Sequence, residues 1–77
     1  MIKAELEELL VIENIPEHFY SLNGGFPYDA WCLSKTPSGW EIYYTERGEK
    51  YQSENFSLEG EACERLYQRI KKMMEYL

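Results

Sequence analysis

The chain has 77 residues, of which 44% are hydrophobic and 16% aromatic, and its formal net charge at pH 7 is −6. This length holds a single domain, and the apolar content is enough for a compact core, which excludes a disordered segment. Fourteen acidic residues stand against eight Lys and Arg, so the concentrated basic footprint that nucleic acids and anionic membranes require is missing. We therefore expect no nucleic-acid or membrane partner. The acidity either attracts a basic protein over long range or simply keeps the protein soluble.

The cellular compartment can be predicted from targeting and membrane-spanning patterns in the sequence and from the number of cysteines. No basic stretch followed by an apolar core marks a signal peptide, and no run approaches the roughly 18 apolar residues of a membrane span. Cys32 and Cys63 are the two cysteines, and a single pair lacks the density of a secreted disulfide framework. We expect a soluble, cytoplasmic protein with two reduced and buried thiols.

The first predicted element is a short amphipathic helix. Its apolar stripe has helical spacing and consists of Ile2, Leu6, Leu9 and Leu10. The helix should end near Glu13, because Asn14 tolerates the left-handed conformation after a helix and Pro16 disfavours helix before it. Val11 and Ile12 are expected to complete the buried edge.

A short strand is predicted at residues 19–22, and a turn containing Gly24 and Gly25 follows it. The glycines do not indicate a phosphate loop, because neither a Lys-Ser/Thr pair nor a helix comes after them. Phe26 and Tyr28 indicate either a contact surface or a cap over the core. His18 is the only histidine, and without other ligands at a suitable spacing we assign it to a loop with no metal and no acid–base role.

Residues 30–56 predict an antiparallel meander. Along residues 40–45 (WEIYYT) the side chains alternate with a period of two, which indicates a central strand with one dry face and one wetter face. Trp31 and Leu33 indicate a preceding strand. The turn between them spans residues 36–39 (TPSG), where proline and glycine suit a hairpin.

The rest of the chain predicts a second hairpin and a longer helix. Residues 46–49 (ERGE) form the turn, and residues 51–56 return as a third strand. Ser57 is the predicted N-cap of the closing helix, and Gly60 stands where a capping box would have glutamate. The apolar face of this helix consists of Ala62, Cys63, Leu66, Tyr67, Ile70, Met73, Met74 and Leu77. Such a stripe predicts core rather than a cofactor or partner groove.

These elements predict one α+β domain over residues 1–77. It has an N-terminal helix, a three- to four-stranded antiparallel β-meander and a C-terminal helix, with both helices on one face of the sheet. The order of the strands in the sheet does not follow from the pattern.

No motif indicates catalysis, since Gly-x-Ser-x-Gly, His-Glu-x-x-His and Cys-x-x-Cys are all absent. We expect neither an enzyme, nor a cofactor, nor a bound metal. Tyrosine and acid around the second hairpin are a composition suited to a basic protein partner, with desolvated anchors inside a charged rim. The candidate partner-binding residues are Asp29, Glu41, Tyr43, Glu46, Arg47 and Glu49. The alternative is an ordinary solvated hairpin tip in which the two turn glutamates are simply ionised.

Several parts of the sequence resemble small bacterial immunity proteins. They are residues 20–33 (YSLNGGFPYDAWCL), residues 39–48 (GWEIYYTERG), Phe56 and residues 61–63 (EAC). Such immunity proteins are encoded beside polymorphic toxins, including those of contact-dependent growth inhibition systems, and the resemblance spans about residues 14–70. It implies a toxin inhibitor that binds a cognate toxin domain, often a nuclease or deaminase, and blocks its active site or substrate access. We expect the protein to be a monomer or a weak dimer. Because this family uses divergent surface residues, the resemblance assigns no binding residue. A small acidic housekeeping interaction module or regulator is the alternative.

Overall fold

A computed structural model describes residues 1–77 and confirms the predicted α+β fold. The elements in chain order are α1 (Lys3–Ile12), a 3₁₀ turn (Glu17–Phe19), β1 (Tyr20–Ser21), β2 (Ala30–Thr36), β3 (Gly39–Glu46), β4 (Glu49–Phe56) and α2 (Glu59–Met74). None of the helices is long and apolar enough to cross a membrane.

The four strands form one sheet in the order β1-β2-β3-β4. Strands β2, β3 and β4 are the predicted antiparallel meander. Strand β1 instead runs parallel to β2, with Tyr20 opposite Trp31, so the sheet is mixed and not wholly antiparallel. The reason is that residues 22–29, which we call the crossover loop, carry the chain back across the sheet and do not turn it in a hairpin.

Both predicted hairpins are confirmed. In the first, Thr36 pairs with Gly39, and Gly39 has a φ of 153° in a position where any side chain would collide with the carbonyl oxygen of Phe56. In the second, Arg47 and Gly48 both have positive φ, at 53° and 78°. Two consecutive positive φ values define the type I′ turn, whose twist matches that of the flanking strands.

The helices pack on one face of the sheet, as predicted. Trp31 pairs with Tyr44 and Leu33 with Ile42, which places these side chains on the face that the helices cover. The fully buried core residues between helices and sheet are Leu6, Leu10, Leu33, Ile42, Ala62, Cys63, Leu66 and Ile70.

The opposite face of β3 was predicted to be the wetter one, and this is wrong for two of its residues. Tyr43 is only 2% exposed and Thr45 is fully buried. Ala30 and Cys32, which pair with them from β2, are buried as well. The crossover loop covers this face, and a two-residue period cannot reveal a cover supplied by a distant segment.

Helix α1 ends where predicted, with Glu13 as its last flanking residue and Asn14 left-handed at a φ of 58°. The prediction that Val11 and Ile12 are buried is wrong, because they are 60% and 74% exposed. Leu10 is the last side chain of α1 that points into the core. Successive residues rotate by 100° around a helix, so the next two side chains turn away toward solvent.

The start of α2 also differs from the prediction. Its N-cap is Leu58, not Ser57, and no side chain caps it. The carboxylate of Glu59 accepts a hydrogen bond of 2.8 Å from the backbone N–H of Lys3. Glu59 of α2 therefore satisfies the start of α1. The prediction that Leu77 shares the buried apolar face of α2 is wrong, because the helix ends at Met74 and Leu77 is 73% exposed.

A second polar contact joins the helices at the other end of α1. The carboxylate of Glu13 accepts hydrogen bonds from Lys71 Nζ and from the hydroxyl of Tyr67, both on α2. The bond from Lys71, followed by that from Tyr67, lowers the pKa of Glu13 below its ordinary value of 4.5.

Truncation of the core helix tests this packing. Leu66→Ala should lower the free energy of unfolding by about 2–5 kcal/mol, because Leu66 is fully buried and its loss leaves a cavity. Leu77→Ala is the matched control, since that leucine is exposed. Urea unfolding of both variants is the measurement. If Leu66→Ala unfolds with the wild type, the assigned core is wrong.

Glu13→Gln tests the contact between the helices through pH. A carboxyl whose pKa is lower in the folded state stabilises the protein above its unfolded pKa, and this contribution is lost as the pH falls through the folded pKa. The variant should therefore be less stable than the wild type at pH 7, and the difference should shrink below about pH 4.5. Glu8→Gln, which removes an exposed carboxylate from the same helix, should show no such convergence in thermal melts across pH.

Candidate binding surface

Four hydrogen bonds hold the backbone of the crossover loop against the sheet. In one of them a loop N–H donates, and in the other three a loop carbonyl accepts. The N–H of Gly24 donates to the carbonyl of Leu33 at 2.8 Å. The hydroxyl of Ser21 donates to the carbonyl of Gly24 at 2.7 Å. Two further bonds come from β3 and fix the middle of the loop. These contacts give an irregular segment a defined position.

The two bonds from β3 come from its buried polar side chains. Tyr43 donates its hydroxyl to the carbonyl of Gly25 at 2.9 Å, and Thr45 donates to the carbonyl of Pro27 at 2.8 Å. Burial, as the main cause, raises the pKa of Tyr43 to about 12. The phenol is therefore protonated at neutral pH and remains a hydrogen-bond donor.

The backbone geometry of the loop explains why glycine stands at positions 24 and 25. Gly24 and Gly25 have φ values of 71° and 84°, which glycine adopts without steric cost. A Cβ at Gly24 would lie 3.2 Å from Ser34 Oγ, so the loop also approaches β2 closely at this point. The Gly-Gly pair thus lets the loop lie flat on the sheet.

Beyond these anchors the loop presents two aromatic rings to solvent. Phe26 is 60% exposed and Tyr28 is 86% exposed. Together with Pro27, Arg47 and Gly48 they line an open cavity of about 330 Å³. The loop aromatics and the β3–β4 turn are therefore parts of one surface.

The acidic residues at this end of the sheet complete the surface. Ala30 pairs with Thr45, so the next residues outward, Asp29 and Glu46, lie beside each other at the end of these strands. Burial raises the pKa of Tyr44, and the charges of Asp29 and Glu46 raise it further. We call the tip surface the set Phe26, Pro27, Tyr28, Asp29, Glu46, Arg47, Gly48 and Glu49.

Four of the six candidate residues from the sequence, Asp29, Glu46, Arg47 and Glu49, belong to this exposed tip. The other two do not. Tyr43 lies beneath the loop and has no surface to offer a partner, so its assignment as a contact residue is corrected to that of a loop anchor. Glu41 is half-buried further along the sheet, where Lys50 and Ser53 occupy its carboxylate.

Lys50 connects the edge strand to the crossover loop. Its Nζ atom lies 3.1 Å from Glu41 Oε1, 4.4 Å from the ring centre of Tyr43 and 5.8 Å from that of Phe26. An ammonium within about 6 Å of an aromatic face is attracted by it. Lys50 is thus held by contacts within the protein. The tip surface itself has three carboxylates and one cation, the guanidinium of Arg47.

Sequence reasoning left Phe26 and Tyr28 outside the candidate set. The available signal was the succession of two glycines, an aromatic residue, proline and a second aromatic residue in residues 24–28. That succession indicates a constrained turn displaying rings, but it does not tell whether the rings face the core or solvent.

Other reactive side chains offer little chemistry. Cys32 and Cys63 are free and fully buried, and burial raises the pKa of both thiols, so they are not thiolates at neutral pH. His18 lies in the 3₁₀ turn against the ring of Phe19, with 4.2 Å between ring centres. No three His, Cys, Asp or Glu side chains are grouped to hold a metal ion.

Comparison with protein-family models, with curated proteins and with solved structures finds no match.

Removal of the Tyr43 hydroxyl tests the anchoring of the loop. Tyr43→Phe keeps the ring but leaves the carbonyl of Gly25 without its donor, which should lower the free energy of unfolding by about 0.5–1.5 kcal/mol. Tyr51→Phe is the control, because its hydroxyl bonds only to Glu49 at an exposed site. Urea unfolding should separate the two variants, and equal stability of both would contradict the anchoring role.

Proposed function

We propose that this protein is a cytoplasmic immunity protein that neutralises a cognate bacterial toxin domain by stoichiometric binding, without catalysis. The observation that carries the proposal is the tip surface, where Phe26 and Tyr28 are exposed next to acidic side chains on a rigid support. The resemblance of residues 20–33 and 39–48 to immunity proteins supplies the biological role. The tip surface supplies a place for the contact.

The composition of the tip suits the centre of a protein interface. Tyrosine and phenylalanine are enriched in interface cores, where a few buried aromatic anchors carry most of the binding energy. A ring left 86% exposed in the free protein loses unfavourable contact with water when a partner covers it. Polar and charged residues around such anchors form the rim.

The loop is also ordered before binding. Bonds from Tyr43 and Thr45 hold its backbone in one position, so little conformational entropy remains to be lost on association. A preorganised contact segment binds more tightly than a flexible one with the same side chains.

The charge of the chain favours a basic partner. With a net charge of −6 and three carboxylates at the tip, long-range attraction would raise the association rate of a cationic toxin domain. An interface of standard size covers about 800 Å² on each partner, roughly a sixth of this chain's 4986 Å² surface. The contact would therefore extend from the tip along the exposed edge strand β4.

Calorimetric titration with the toxin domain encoded by the adjacent gene tests the proposal. The wild type should bind at one-to-one stoichiometry, and Tyr28→Ala should weaken binding by at least about tenfold, as expected for an interface anchor. Tyr76→Ala is the control, since Tyr76 is a similarly exposed tyrosine at the end of α2. Absence of binding by the adjacent-gene product contradicts the immunity role. Tight binding that Tyr28→Ala leaves unchanged contradicts the tip surface.

Charge reversal at the tip tests the electrostatic part of the same prediction. Glu46→Lys with Glu49→Lys should slow association and reduce its dependence on salt, because exposed charges act mainly on the encounter rate. Glu7→Lys with Glu8→Lys makes the same charge change on α1 and serves as control. Glu41 is left intact, because its carboxylate holds Lys50 and Ser53 and its reversal would disturb the fold.

A further inference from the structure

A second cavity lies on the other side of the sheet, between its helix-covered face and the last turns of α2. It has a volume of about 320 Å³. Trp31, of which only 5% is exposed, and Tyr44 line it, with their rings tilted against each other at 5.5 Å between centres. Met73 and Tyr76 form the wall. This volume is at the lower end of the range found for small-molecule sites, about 300–1,000 Å³.

The rim of the cavity is cationic, although the protein as a whole is acidic. Arg69 and Lys72 lie on it, and the guanidinium of Arg69 is 5.9 Å from the ring centre of Trp31. The nearby carboxylate of Glu54 is shared between Arg65, at 2.7 Å, and Arg69, at 2.8 Å. Lys72 is exposed and belongs to none of the ion pairs. Positive charge at the rim is therefore only partly neutralised.

Arg69 has an unmet hydrogen-bonding need. Its Nη2 atom donates to Glu54, but its Nε atom is buried and has no acceptor. Buried donors are almost always paired, and an exception calls for an explanation. The Nε atom is covered in this conformation, so a small rotation of the guanidinium would be needed to direct its free donors into the cavity. An anion there would supply the missing acceptor.

Gln52 reaches the same cavity through a β-bulge. Tyr44 pairs with Tyr51 and Ile42 with Glu54, so two residues of β4, Gln52 and Ser53, lie opposite one residue of β3. Gln52 is left-handed, with a φ of 53°, a conformation that glycine occupies more easily. This strained residue is one of those that line the cavity, and backbone strain of this kind gathers at binding sites.

From these observations we infer that the cavity binds a small organic anion with a flat apolar body, namely an aromatic carboxylate. Its ring would lie against Tyr44 and the small exposed part of Trp31, and its carboxylate would meet Arg69 and Lys72. The amide of Gln52 adds a neutral donor to the same carboxylate. Charge-assisted bonds from guanidinium and ammonium to carboxylate are the strongest ones available to such a ligand. The inference does not depend on the proposed toxin-binding function.

Nuclear magnetic resonance titration with 2-naphthoate tests the inference, because the two tryptophans of the chain give separate indole N–H signals. The ligand should shift the signal of Trp31 and leave that of Trp40 in place. The uncharged isostere 2-naphthylmethanol should bind at least about tenfold more weakly, since it lacks the charge. No shift at Trp31, or equal binding of the two probes, overturns the proposal.

Variants separate the ionic contribution from folding. Arg69→Gln and Lys72→Gln should each weaken naphthoate binding at least about fivefold. Lys35→Gln is the matched control, because Lys35 lies 5.1 Å from the ring centre of Trp40, away from the cavity. Lys72 is exposed and unpaired, so its variant remains informative even if Arg69→Gln destabilises the fold. Unchanged affinity in Lys72→Gln and in a folded Arg69→Gln contradicts the site.

Gln52→Gly gives an independent readout. Glycine relieves the left-handed strain and removes the amide, so the melting temperature should rise while naphthoate binding weakens. A structural bulge without a ligand would show only the first change. Affinity that stays at the wild-type value would remove Gln52 from the site.

Discussion

Burial of strand β3 on both of its faces is the constraint on which the rest of the structure depends. Ile42 contributes to the core beneath the helices, and its neighbour Tyr43 is covered from the other side by the crossover loop. In this chain of 77 residues the sheet is therefore the middle one of three layers, although the helices form only one of the two outer layers. The loop serves as the third. This explains why an irregular segment carries so many specific hydrogen bonds.

The helices depend on each other as much as on the sheet. Glu59 of α2 receives the first N–H of α1, and Tyr67 and Lys71 of α2 hold Glu13 at its end. Both ends of α1 are thus fixed by polar contacts, and the two buried leucines of α1 lie between them. The outer side of α1 packs against neither the sheet nor α2, and Val11 and Ile12 lie exposed on that side.

The sequence was sufficient for features that arise locally. Hydrophobic period and turn chemistry predicted both helices, the hairpins at residues 36–39 and 46–49 and the side of the sheet under the helices. It was insufficient wherever a distant segment decides the environment. Tyr43 has the sequence neighbours of a half-exposed strand residue, and only the path of the crossover loop buries it. The parallel pairing of β1 has the same origin.

The candidate sites follow the same division. Glu46, Arg47 and Glu49 share a tight turn, so their grouping could be predicted, and Asp29 joins them through the pairing of β2 with β3. The cavity beside Trp31 is lined by residues from β2, β3, β4, α2 and the turn that follows α2. No local sequence pattern predicts such a grouping. A glycine at position 52 would have indicated the bulge, but glutamine stands there.

The crossover loop is attached to β3 through carbonyl oxygens, those of Gly25 and Pro27. Every amino acid has a carbonyl oxygen, so these two bonds do not depend on which side chains stand at positions 26 and 28, although Lys50 also contacts the ring of Phe26. Substitutions at these two positions would therefore change the exposed side chains of the loop while its backbone stays in place. In general, a fixed scaffold with variable exposed positions can change its contacts through very few mutations, as the framework and hypervariable loops of antibodies show.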